Sequence, residues 1–188
     1  VSDFIPVARI SDMLLNPGQA FDYNGASYHY PDIRLVYWAG GNPFHHHQDL
    51  NRMLAAWDRP DSVIMHDWCW NAATRRADIV LPCTTMLERE DIGMSPKDPY
   101  IVAMARAIEP VGAARDDYSI LAGIAAKMGL SDAFTEGRSA EDWLKWLWSA
   151  SQKRAKAQGT TLPAYDDLVR DGYHRIAPRD AEMVMMYD

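Results

Sequence analysis

The run Gly40-Gly41-Asn42-Pro43-Phe44-His45-His46-His47-Gln48-Asp49 packs glycines, amides and imidazoles into one short stretch. Paired glycines permit positive φ and let backbone approach a ligand closely. Asn42 donates and accepts through one amide, and Pro43 sets the exit angle of the turn. The imidazoles of His46 and His47 and the amide of Gln48 add donors suited to a phosphate or carbonyl oxygen. The histidine triplet also admits a metal reading. Consecutive side chains in a loop seldom converge on one ion, however, and no cysteine or acid stands at a partnering spacing. Hydrogen bonding to an oxyanion is therefore favoured, with packed or merely exposed histidines as the plain alternative. As a bare string, Gly-Gly-Asn-Pro lacks the spacing of the dinucleotide fingerprint and of the Walker loop, so a purely structural turn stays open.

Further along, Asp67 ends an apolar run, where a carboxylate can accept from a ribose diol or a guanine edge, or cap whatever helix follows. Arg89, in Glu88-Arg89-Glu90-Asp91, could pair with a phosphate or be simply solvated. Asp116 and Asp117 read most simply as an N-cap. No nucleophile–base pair, catalytic carboxylate pair or metal triad assembles from these residues. They point to a cofactor-binding module and not to a self-sufficient catalyst.

The elements around them explain why these positions matter. Ile33-Arg34-Leu35-Val36-Tyr37-Trp38 reads as a buried strand, the glycine turn follows, and His47 to Trp57 reads as a helix. A strand, a glycine turn and a helix form the local geometry that brings a cofactor phosphate to a helix N-terminus. Ser62 to His66 is a second strand, Asn71 to Arg76 a short helix, and Asp78 to Pro82 a third strand. Short connections between them predict right-handed crossovers and a parallel sheet. Phe4 to Leu15 has helical spacing, polar turn-rich sequence fills the interval to Asp32, and Tyr100 to Ile108 is a candidate fourth strand. Asp116 to Leu130 is a helix with an acidic start. Beyond residue 130 the chain changes character: Ser139-Ala140-Glu141-Asp142 is a capped helix start, followed by Trp143, Trp146 and Trp148, whose spacing is that of packing. The expected fold class is α/β, a Rossmann-like parallel sheet flanked by helices over residues 1–130, with a helical C-terminal extension over 131–188 leading toward a further domain.

Composition sets the bounds. The 188 residues are 48% hydrophobic and 24% charged, with a formal charge of −7, so the chain is globular and ill suited to bulk binding of nucleic acid or anionic membrane. Any anion must be held by local donors. Cys69 and Cys83 fit neither a disulfide framework nor a paired metal spacing. No apolar run has the length of a membrane span and no signal peptide is visible. The start at Val1 and the apolar Met183-Val184-Met185-Met186-Tyr187 before the final residue read as cuts through a longer protein.

Three strings together resemble a known family: Ile5-Pro6-Val7-Ala8-Arg9-Ile10-Ser11-Asp12-Met13-Leu14-Leu15-Asn16-Pro17-Gly18, Tyr37-Trp38-Ala39-Gly40-Gly41-Asn42-Pro43-Phe44-His45-His46-His47-Gln48-Asp49, and Ala77-Asp78-Ile79-Val80-Leu81-Pro82. They are similar to the bis-molybdopterin guanine dinucleotide oxidoreductases, in the branch of biotin sulfoxide, trimethylamine N-oxide and dimethyl sulfoxide reductases. The resemblance runs from about Phe4 to Leu130. It implies one domain of a larger bacterial enzyme that reduces an S- or N-oxide by oxygen-atom transfer at molybdenum. The cofactor would be bis-molybdopterin guanine dinucleotide, held here by Gly40, Gly41, Asn42, Pro43, His46, His47, Gln48, Asp67, Arg89 and Asp117. The implied partners are the remaining domains of the parent enzyme and a small oxide, with no nucleic acid and no membrane. A cytoplasmic location is favoured over a periplasmic one. Trp68 to Arg76 departs from the family's usual threonine-rich helix start, and no segment matches its metal-ligating serine region. Two other readings stay open: an independent nucleotide-binding domain, and a helical interaction module using the tryptophan-rich tail.

Overall fold

The computed structural model describes residues 4–95 and 98–176. Val1 and the apolar Met183–Tyr187 run lie outside the described residues. The chain divides into two compact units, Val1–Cys83 and Thr84–Asp188.

In the first unit, a short 3-10 turn (Val7–Arg9) leads into α1 (Ile10–Leu15), which ends at Asn16. The polar stretch after it is not a simple loop. Ala20–Tyr23 (β1) and Ala26–His29 (β2) pair as an antiparallel hairpin. Its turn, Asn24-Gly25, has φ of 50° and 78°, the signature of a type I′ connection. Phe21 stacks on Tyr30 with ring centroids 4.4 Å apart, which gives this ribbon a small aromatic core.

Leu35–Ala39 (β3), Ser62–Asp67 (β4) and Ile79–Pro82 (β5) form a parallel sheet in the order β3-β4-β5. Among the described residues the apolar run at Ile33–Trp38 is thus an edge strand and not a fully buried one, and Leu35 is half exposed. The central β4 carries the core. Val63 and Met65 pack against Met53, Ala56 and Trp57 of α3 (Leu50–Trp57) and against Leu14 of α1. The i, i+3, i+4 spacing on α3 puts its three buried side chains on one face. An Arg52–Asp12 ion pair and a Ser11 Oγ to Met53 Sδ contact of 3.7 Å tie α3 to α1. Burying a side chain of methionine or tryptophan size stabilises by roughly 1.5–3 kcal/mol, so Met53, Met65 and Trp57 account for much of what positions the strand ends.

The second unit has its own sheet. Asp91–Met94 (β6), Tyr100–Met104 (β7) and Tyr173–Arg175 (β8) are antiparallel, with β7 in the middle. The expected fourth strand therefore exists but does not extend the parallel sheet, because it follows a hairpin-type return from β6 and not a helical crossover. The helices here are α4 (Asp117–Lys127), α5 (Ser131–Thr135), α6 (Ala140–Ala157) and α7 (Tyr165–Asp171). The compositional change near residue 130 falls inside this unit, and the tail contributes β8 as well as helices. Ser139 and Asp142 form a reciprocal capping box at the start of α6. Trp148 is buried with Ile101 and Leu168, and its indole N–H donates to the Pro163 carbonyl at 3.0 Å. Trp143 donates to Tyr118 Oη at 3.2 Å, and the Arg138 guanidinium lies 4.5 Å from its ring centroid. Most of the tryptophan cluster is therefore packing, with Trp146 half exposed.

Candidate functional site

The parallel register sets the first part of the site. Ala39 pairs with His66, so the glycine turn leaves β3 and Asp67 ends β4 at the same carboxyl edge of the sheet. That edge is where ligands bind in open α/β sheets.

Gly40 and Gly41 both have positive φ, 83° and 74°. A Cβ at Gly40 would meet nothing within 4 Å, whereas one at Gly41 would lie 3.6 Å from His46 Cε1. The turn is held from below by the Trp38 indole, which donates to the Gly41 carbonyl at 3.1 Å. Among the described residues the N–H groups of Gly41 and Asn42 take no hydrogen-bond partner. Asn42 Oδ1 accepts from the Phe44 N–H at 3.0 Å and so caps a single helical turn, α2 (Pro43–His46), with Pro43 at its first position.

The helix expected from His47 to Trp57 is split. His47 is extended and ends α2, while Asp49 sits at φ 48° and caps α3 by accepting from the Arg52 N–H at 3.1 Å. A left-handed residue cannot continue a helix, which is why the chain restarts. A carboxylate already occupies the N-terminus of α3, so phosphate delivery there is not what this geometry offers.

His46 is exposed over the turn, and Gln48 is exposed beyond it. His47 is half-buried, edge-on to the Trp38 ring at 6.1 Å, and its Nε2 is buried without a partner among the described residues. Burial, with a further push from neighbouring His46, lowers its pKa below the ordinary imidazole value, which favours the neutral ring. No group of His, Cys, Asp and Glu side chains placed to hold a metal ion occurs among the described residues.

Asp67 organises the turn that follows it. Its Oδ1 accepts from the N–H groups of Trp68 at 2.8 Å and Cys69 at 3.3 Å, and its Oδ2 accepts from Asn71 Nδ2 at 2.6 Å. Asn71 Oδ1 in turn accepts from the Ala73 and Thr74 N–H groups. The helix expected over Asn71–Arg76 shrinks to a 3-10 turn at Thr74–Arg76, because Asn71 gives the backbone a local alternative. Oδ2 keeps a lone pair for a further donor.

Arg89 and Asp117 belong to the second unit, where both line a cleft of about 790 Å³. Arg89 Nη1 donates to the Thr84 carbonyl at 2.8 Å and its Nε to Asp91 Oδ2 at 3.3 Å, so much of its fork is committed within its own loop. Asp116 is the cap of α4, accepting from the Ser119 N–H at 2.8 Å, and Asp117 occupies the first helical turn. The cleft wall carries Arg89, Arg106 and Arg115 but also Glu88, Glu90, Asp91, Asp116, Asp117 and Glu141. Such a mixture suits a ligand with donors and acceptors better than a bare anion.

Glu88 stands in the string Glu88-Arg89-Glu90-Asp91 with no role of its own assigned from sequence. It is buried, accepts from Thr85 N–H at 2.7 Å, Val111 N–H at 2.7 Å and Thr85 Oγ1 at 2.8 Å, and these bonds hold its carboxyl below the usual range. The signal was present as Thr85-Met86-Leu87-Glu88, the spacing of a capping box. In the stretch that departs from the family pattern, Trp68 and Trp70 stand 67% and 71% exposed beside Asp67.

Comparison with known proteins adds lineage to this geometry. The sequence model of the family described as molybdopterin oxidoreductase matches residues 11–127. The chain is 51% identical over 156 residues to a biotin sulfoxide reductase of Cereibacter sphaeroides, covering 83% of this chain and 21% of that protein. It is 46% identical over 170 residues to a dimethyl sulfoxide/trimethylamine N-oxide reductase of the same organism, covering 89% of this chain and 21% of the relative. It is 41% identical over 163 residues to a trimethylamine-N-oxide reductase of Haemophilus influenzae, covering 86% and 20%. The chain thus spans about a fifth of the length of these relatives. Among solved structures, acetylene hydratase from Pelobacter acetylenicus shares the fold, with a TM-score of 0.61 at 19% identity over 80% of this chain and 19% of that one.

Proposed function

The chain belongs to the molybdopterin oxidoreductase family, and from that premise we propose that it holds the guanine dinucleotide arm of a molybdopterin in an S- or N-oxide reductase. The family implies molybdenum and molybdopterin; the guanine dinucleotide form is the finer reading. The observation that carries it is the shared carboxyl edge of β3 and β4, where an open glycine turn lies beside a hydrogen-bonding carboxylate. The residues fit such a group: Gly40 leaves room for close backbone approach, and the Gly41 and Asn42 N–H groups have no partner among the described residues.

Bound molybdenum would supply oxygen-atom transfer. The work of this chain is to bind and orient. Gly40, Gly41 and Asn42 would take the pyrophosphate, with Pro43 holding the turn rigid and His46 and Gln48 as exposed donors around it. His47, kept neutral by burial, would offer a hydrogen bond without a charge. Asp67 would accept from the guanine N–H edge or the ribose diol; Arg89 and Asp117, in the second unit taken by itself, offer a donor and an acceptor in their own cleft. The rest of the parent enzyme and a small oxide are the partners in this reading. Among the described residues no helix is long and apolar enough to cross a membrane. A cytoplasmic location is part of this proposal, and fractionation of the source cell checks the point.

The test is turnover of biotin sulfoxide, dimethyl sulfoxide and trimethylamine N-oxide with a reduced viologen as electron donor. The full-length parent is expected to reduce at least one of them, and the 188-residue chain none. Oxide reduction by the chain alone would sink this reading.

A further inference from the structure

Two indoles stand uncovered beside the carboxylate that ends the central strand. Trp68 and Trp70 are 67% and 71% exposed, and neither makes a ring contact or an indole hydrogen bond among the described residues. The other tryptophans all have partners or burial: Trp57 and Trp148 are buried, Trp38 and Trp143 are half-buried and donate through their indoles, and Trp146, 48% exposed, packs edge-on to Trp143 with the Arg138 guanidinium over its ring. The backbone under Trp68 and Trp70 is not loose. Asp67 accepts from the Trp68 and Cys69 N–H groups, and Asn71 donates to Asp67 from the far side of the pair, so both indoles project from a pinned turn.

What surrounds that turn limits what can cover it. The neighbouring strand leaves the same edge through Gly40, where there is open space. Within a few residues the edge therefore combines room for a phosphate backbone, a carboxylate able to accept from N–H donors, and flat aromatic surface. A planar heterocycle bearing N–H donors and attached to a phosphate satisfies all three.

We propose that Trp68 and Trp70 form a stacking platform for the purine base of the nucleotide held at this edge. This deepens the cofactor-binding reading above and rests on it. Asp67 would read the N–H edge of the base while the indoles hold its face. Base–aromatic stacking acts on any base and strengthens with ring area, so the platform contributes affinity and a preference for purine over pyrimidine, while the carboxylate contributes the choice of guanine.

The experiment uses the full-length parent made in a host that cannot synthesise molybdopterin, with GDP as the probe. Binding is followed by equilibrium dialysis and by quenching of indole fluorescence. In wild type, GDP is expected to bind and to quench. Replacing both indoles (Trp68→Ala with Trp70→Ala) should weaken GDP about tenfold and abolish most of the quench, whereas the double phenylalanine variant should keep most of the affinity. Asp67→Ala should weaken GDP but spare ADP. If the double alanine variant binds GDP as wild type does while Asp67→Ala is weakened, the platform is refuted and the cofactor reading stands. If wild type does not bind GDP, both fail. If the double alanine variant lowers the thermal midpoint of the apoprotein with unchanged GDP affinity, the indoles serve protein packing and the platform is refuted.

Discussion

Gly40→Ala separates backbone conformation from steric room at the turn. Gly40 has φ of 83°, and a Cβ built there meets no heavy atom within 4 Å, so the whole folded-state cost must come from the left-handed backbone. That conformation costs an L-residue roughly 1–2 kcal/mol. Alanine also restricts the unfolded chain, which returns about 0.4–1 kcal/mol. The net expected loss is therefore about 1 kcal/mol, or roughly 2–4 °C in the thermal midpoint of a chain this size. Gly40→Asn tests the cause, since asparagine tolerates the left-handed region and should recover more than half of that loss. Urea denaturation followed by circular dichroism reads both variants. Two results would refute the reasoning: an alanine variant as stable as wild type, or an asparagine variant as damaged as alanine. The second would mean that the space above the turn is filled, contrary to an open approach for a ligand.

Other consequences follow from single side chains. Asn71→Ala removes the donor to Asp67 Oδ2 and the acceptor for the Ala73 and Thr74 N–H groups, and is expected to cost about 2 kcal/mol in urea denaturation. Ser139→Ala breaks the capping box of α6 and should cost about 1 kcal/mol, seen as a lower thermal midpoint. Glu88 titrates below its ordinary value in the fold, so its contribution to stability is fully present above the unfolded carboxyl pKa and is lost as pH falls through the lowered folded value. Glu88→Gln should therefore be less stable at neutral pH and show a flatter decline on acidification, measured as denaturation midpoints between about pH 3 and 6.

Much of the parallel sheet was legible because its strands are short apolar runs bounded by turn residues and its connections are short. The site edge followed from that topology: once β3 and β4 are parallel neighbours, Gly40 and Asp67 must leave together. What local sequence hid has identifiable physical causes. The Asn24-Gly25 hairpin was masked by polar strands that form a two-stranded ribbon, where period-2 apolar alternation is weak. The break before α3 depends on one non-glycine residue, Asp49, in the left-handed region, which no propensity foretells. Tyr100–Met104 has strand composition, but composition does not say which sheet a strand joins; β6 and β8, far apart in sequence, decide that. Of the candidate site residues, the turn and Asp67 come together on one edge, while Arg89 and Asp117 line the cleft of the second unit.

The central claim is that a pterin guanine dinucleotide lies at the carboxyl edge of β3 and β4. The most direct measurement is a crystal structure of the full-length, cofactor-loaded parent. The account predicts pyrophosphate within hydrogen-bonding distance of the Gly41 and Asn42 N–H groups, with the guanosine against Asp67. A structure in which that edge is covered by protein, with the dinucleotide elsewhere, would contradict it.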